Sequence, residues 1–122
     1  SRAVLLRIVD NTPELPAAVI KGNWFCRSGM LPRASAGFLW ILFSRLDQKD
    51  ADSFFSQLYD GEMLAKGNPL LTLRNLFANN PTRRGDTAWR IAVTIKAWNK
   101  FRNDENCSLL RFGAGEFFPT PV

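Results

Sequence analysis

Residues 86–102, DTAWRIAVTIKAWNKFR, decide the fold. Ala88, Ile91, Ala92, Ile95 and Trp98 recur at three- and four-residue spacing, which makes one apolar stripe of an α-helix, while Trp89, Val93 and Phe101 fall on a second flank. Asp86 or Thr87 begins this helix with a side-chain oxygen able to cap the first free N–H groups. It is the last and longest helix the sequence predicts.

Upstream, the same grammar repeats. Asn68-Pro69 is a cap followed by a proline whose missing N–H costs nothing at a first turn, and it opens a helix with Leu70, Leu73, Leu76 and Phe77 on one face, ended by Asn79-Asn80-Pro81. Asp47 caps another, with Asp50 and Asp52 in the first turns facing the helix dipole, Phe54, Phe55, Leu58 and Tyr59 at helical spacing, and Gly61 after the end. Pro32 or Ser35 opens a third-in-order helix over Ala36 to Leu46 that is apolar nearly all round and so belongs at the centre. Two more are expected before it. One starts at Ser1 and carries Leu5, Leu6, Ile8 and Val9, and the next is capped by Thr12, carries Trp24 and Phe25, and stops at Ser28-Gly29. The expectation is an all-α, single compact domain of about six helices over residues 1–112, with Phe38, Leu42, Ile91, Ile95 and Trp98 buried. Cys107 to Phe112 reads as a short extended piece packing back on the core. Residues 113–122, with two glycines and two prolines, read as an irregular tail.

Composition excludes several chemistries. The 122 residues contain no histidine, so no imidazole base, imidazole metal ligand or Ser-His or Cys-His pair is available. Neither a metal nor a cofactor is expected. Cys26 and Cys107 form no CxxC pair; one disulfide and two reduced thiols both fit, the second being the ordinary state of a cytoplasmic domain. The longest apolar run, Phe38 to Phe43, is far below the ~20 residues that span a bilayer. Arg2 and Arg7 break up the opening apolar segment, so a secretory leader is not expected and a cytoplasmic location is. Asp50, Asp52 and Asp104-Glu105 are explained by helix dipole and solvated turn, and Cys26 by an apolar setting, so no enzyme is expected.

Charge is unevenly placed. Sixteen Lys and Arg against eleven Asp and Glu leave +5, which keeps nucleic acid or an anionic surface open as a partner. Residues 47–62 hold five acids and only Lys49, whereas Arg74 to Arg102 holds seven basic residues and only Asp86. Arg83, Arg84, Arg90, Lys96 and Lys100 are therefore candidate phosphate contacts, with Lys96 and Lys100 one turn apart on a shared face. A merely solvated helix face accounts for the same run, and Arg90 points elsewhere on the wheel. The four tryptophans sit at core spacing rather than beside exposed cations, and Trp89 next to Arg90 is the one candidate for base stacking. A second class of function is protein contact or self-association, for which Leu5, Leu6, Phe117 and Phe118 at the chain ends are the candidate interface. Ordinary packing of the ends explains those residues equally well.

Three stretches carry a resemblance: Phe54-Phe55-Ser56-Gln57-Leu58-Tyr59-Asp60-Gly61, then Gly67-Asn68-Pro69-Leu70-Leu71-Thr72-Leu73-Arg74, then Ile95-Lys96-Ala97-Trp98-Asn99-Lys100-Phe101-Arg102. Together, over roughly residues 3 to 112, the chain resembles the helical C-terminal region of a phage and mobile-element family whose N-terminal half is a ParB-like domain with an Asp-Gly-Gln-His-Arg motif. That motif is missing here, so no catalytic or nucleotide-binding residue carries over. The resemblance implies an accessory helical module encoded on mobile DNA.

Overall fold

The computed structural model describes residues 31–61, 64–83 and 85–122. Within them the chain forms α1 (Arg33–Leu46), α2 (Gln48–Asp60), α3 (Pro69–Ala78), a short 3-10 turn (Pro81–Arg83) and α4 (Thr87–Arg102), with no strand among the described residues. The two helices expected before residue 31 lie outside the described residues. So do Leu5, Leu6, Trp24, Cys26 and Arg84.

The sequence punctuation maps onto observed caps. Asp47 ends one helix and begins the next: its N–H donates to Phe43 O at 2.9 Å, and its carboxylate accepts from the Asp50 N–H at 2.9 Å. Gly61 closes α2 in the left-handed region, φ +66°, where a Cβ would be strained and would also collide with the Arg74 guanidinium. That guanidinium lies there because Arg74 donates to Leu58 O and, at 3.5 Å, to Tyr59 O, placing a cation on the electronegative end of α2. Asn68 Oδ1 accepts from the Leu70 N–H at 2.8 Å, with Pro69 in the first turn, and Asp86 Oδ1 accepts from the Trp89 N–H at 3.2 Å.

Helices α1 and α2 pack as one pair and α3 and α4 as another, and both α2 and α4 touch all three of the other helices. Rings from three helices meet at the join. Phe43 of α1 stacks on Trp98 of α4, centroids 4.2 Å apart and planes 4° from parallel, while Phe54 of α2 stands edge-on to both at 5.5 and 5.6 Å. A second edge contact, Phe77 to Trp89 at 5.8 Å, joins α3 to α4. Trp40 Nε1 donates to Asp52 at 3.0 Å, so the polar atom of that ring is satisfied across α1 and α2.

The centre differs from the expected one. Residues Trp89 to Ile95 of α4 are buried without interruption, whereas α1 keeps a half-exposed side. Ile91, Ile95 and Trp98 are buried as expected, but Phe38 and Leu42 are only partly so; the buried stripe of α1 is Ala36, Leu39, Trp40 and Phe43. The wheel is rotated because Phe43 must meet Trp98. Beyond α4, Cys107 and Leu110 pack back on the core without forming a strand. The Cys107 N–H donates to Gly67 O at 2.7 Å, and Thr72 Oγ1 donates to Cys107 O. Residues 113–122 are irregular, as the sequence predicts.

Trp98→Ala should lower the unfolding free energy by about 3–5 kcal/mol in urea titration, the cost of emptying a large core site. Leu46→Ala, at a side chain 44% exposed, should stay within about 0.5 kcal/mol.

Candidate functional site

Among the described residues, the sequence-predicted cations Arg83, Arg90, Lys96 and Lys100 do not converge on one surface. Arg83 sits in the turn before α4, paired to Asp86 at 2.8 Å with its guanidinium 4.0 Å above the Trp89 ring. The ring beneath it is buried, so Trp89 is no stacking platform for a base. Arg90 is completely buried: Nε donates to Arg83 O at 3.1 Å, and the guanidinium lies over Phe77 at 4.8 Å and near Trp89 at 5.8 Å. Its expected role as a phosphate contact is therefore corrected. Its stem and charge are spent inside, where cation–π contacts and a carbonyl replace water.

Lys96 and Lys100 do share a face of α4, about 14 and about 20 Å along the axis from Thr87 at 1.5 Å per residue. Lys96 Nζ donates to Arg111 O at 2.6 Å and to Glu116 at 2.8 Å, and Lys100 pairs with Glu105 at 3.2 Å. With Asn99, Cys107, Leu109 and Arg111 they border a shallow groove of about 270 Å³. Arg111 at its rim is exposed. Arg102, further along, is held by Asp50 at 2.6 Å and Asp47 at 3.3 Å, 5.5 Å from the Trp98 ring. The acidic stretch thus meets the basic one at a single point, where Asp47 and Asp50 hold Arg102, while Asp52 takes the Trp40 N–H.

The tail crosses the same face. Asn99 Nδ2 donates to Thr120 O at 3.1 Å while its Oδ1 accepts from the Val122 N–H at 3.0 Å. Trp98 Nε1 and Arg102 Nε donate to Val122 O at 3.1 and 3.2 Å. Glu116 bridges Lys96 and the Gly113 N–H, the latter at 3.2 Å. This anchoring leaves apolar groups outside: Phe117 is 98% exposed, Leu109 67% and Phe118 49%, the last edge-on to Phe112 at 5.5 Å. Sequence reading picked out Phe117 and Phe118 but not Asn99, whose function depends on a segment more than twenty residues away.

Cys107 is a buried free thiol whose Sγ donates to Leu109 O at 3.2 Å. Among the described residues no three His, Cys, Asp or Glu side chains gather as a metal site, and no helix is long and apolar enough to cross a membrane. Comparison with protein-family models, curated proteins and solved structures gives no match.

Several carboxyls titrate below their ordinary range. The Arg83 guanidinium and then the Trp89 N–H lower Asp86, and the Asp50 N–H followed by Arg102 lowers Asp47. Lys96 and then the Gly113 N–H lower Glu116. Arg102 is raised, chiefly by Asp50. Because these acids bind protons more weakly folded than unfolded, their support is complete at neutral pH. It fades as pH falls past the ordinary values of 3.8 and 4.5 and is gone below the folded ones. Thermal melts should therefore show a flat midpoint from neutral to about pH 5 and a fall below it. Glu116→Gln should make that acid fall shallower.

Proposed function

We propose that this chain is a non-catalytic, accessory helical module that works through protein–protein contacts, self-association foremost. The observation that carries the reading is Phe117, a ring 98% exposed on a backbone tied down by Asn99 and Glu116. A ring on an untethered tail would be ordinary. Holding it outward on a fixed backbone removes much of the ordering cost that a partner would otherwise meet. Leu109 is a second exposed apolar side chain. The resemblance to the helical region of ParB-like mobile-element proteins supplies the setting: a cytoplasmic module encoded on mobile DNA.

The nucleic-acid reading, through Arg83, Arg84, Lys96 and Lys100, has less support. Arg90 is buried, and Arg83, Lys96 and Lys100 each stand against a carboxylate that a phosphate would have to displace. The two readings differ in their response to salt. Phosphate contacts release counterions, about 0.9 in logarithmic slope per neutralised phosphate on duplex DNA, while an apolar interface hardly responds.

Sedimentation of the full chain over a concentration series should show a dimer that persists at high salt and dissociates on Phe117→Ser with Leu109→Ser. A strict monomer at every concentration removes self-association. DNA binding at ~50 mM salt that collapses on Arg83→Glu with Arg84→Glu would put the nucleic-acid reading in its place.

A further inference from the structure

The geometry points to a peptide-binding site: the face of α4 formed by Trp98, Asn99 and Arg102 receives an extended Pro-x-Pro-Val segment, and here the chain fills it with its own Pro119 to Val122. The recognition is wholly of the main chain. Asn99 donates to Thr120 O and accepts from the Val122 N–H, the two groups that residues two apart present to the same edge of an extended strand. Trp98 Nε1 and Arg102 Nε then converge on Val122 O. One side-chain amide does here what a neighbouring β-strand does in a sheet.

The sequence of the segment suits this. Pro119 and Pro121 fix φ near −65°, so the chain is extended before it docks and loses little freedom on docking. Position 121 lies between the two groups that Asn99 reads, so its lack of an N–H leaves no donor unsatisfied. No hydrogen bond from Trp98, Asn99 or Arg102 goes to a side chain of the segment, so a second peptide of the same backbone form can make the same set.

The resident segment is also replaceable. Phe117, Phe118 and Val122 remain largely or half exposed, so little apolar surface holds it down. It is joined to the core through Gly113-Ala114-Gly115, where Gly115 has φ +86° and open space around it. Lifting it would take Val122 O from the Trp98 indole N–H and leave that donor to water or to the main-chain oxygen of another segment. The vacated face then offers side-chain groups already placed for a second extended peptide. This site shares the Asn99 anchor with the tail that carries Phe117, but it does not rest on self-association.

Val122→Pro in the full chain removes the N–H that Asn99 accepts and weakens the resident segment. The probe is a fluorescent, amidated peptide with the sequence of residues 116–122. In wild type the tethered segment competes at an effective concentration of order millimolar, so fluorescence anisotropy should show the peptide binding about tenfold tighter to the Val122→Pro chain. Peptide addition should shift the Trp98 indole N–H resonance, and Asn99→Leu in the same background should abolish binding. If Asn99→Leu does not fold, Asn99→Asp keeps the acceptor and loses the donor to Thr120 O, and it should weaken binding at least several-fold. No binding to the Val122→Pro chain, or binding indifferent to both Asn99 changes, overturns the proposal whatever the oligomeric state proves to be.

Discussion

The stack of Phe43 on Trp98 is the contact on which the rest of the described structure depends. At 4.2 Å and nearly parallel, it fixes the rotation of α1 against α4, and the edge of Phe54 closes the third side from α2. Once that orientation is set, Leu39 and Trp40 turn inward and Phe38 and Leu42 move to the flank. The indole is also bifunctional. Its face belongs to the core, while its N–H reaches the tail, so the interior and the C-terminal segment meet in one side chain.

Electrostatics follows from that arrangement rather than competing with it. Arg102 ends α4, where a cation complements the helix dipole, and the packing of α2 brings Asp47 and Asp50 to the same place. The acidic segment meets the basic one at Arg102, while Arg83, Lys96 and Lys100 pair with Asp86, Glu116 and Glu105 outside it. Exposed pairs of this kind contribute little stability individually. Their effect here is to place a carboxylate against each of Arg83, Lys96, Lys100 and Arg102.

The helices from residue 31 onward were legible because their ends are written in local chemistry. Asp47, Gly61, Asn68-Pro69 and Asp86 act through atoms within a few residues of themselves, and each stands where the sequence predicts. Two things were not legible. Which face of an almost wholly apolar helix turns inward depends on a partner ring 55 residues away, Trp98 for Phe43, so the sequence points to α1 as the centre although α4 is more enclosed. And a charged residue gives no sign in sequence of being buried: folding brings Phe77, Trp89 and a turn carbonyl around Arg90 and leaves Lys96 on the outer side of the same helix. Asn99 lies beyond such reading for the same reason, since its partners are backbone atoms that any residue carries.

The corner at Asp47 has a consequence for how this chain can change length. A single residue closes α1 through its N–H and opens α2 through its carboxylate, leaving no spare position between the two helices. An insertion there would turn α2 by about 100° per residue about its own axis and swing Phe54 away from the rings it meets. The stretch around Gly113 to Gly115, by contrast, has open space beside it and can lengthen without disturbing a helix. The α1–α2 corner is therefore a place where only substitution is tolerated, whereas the segment after α4 can change in length.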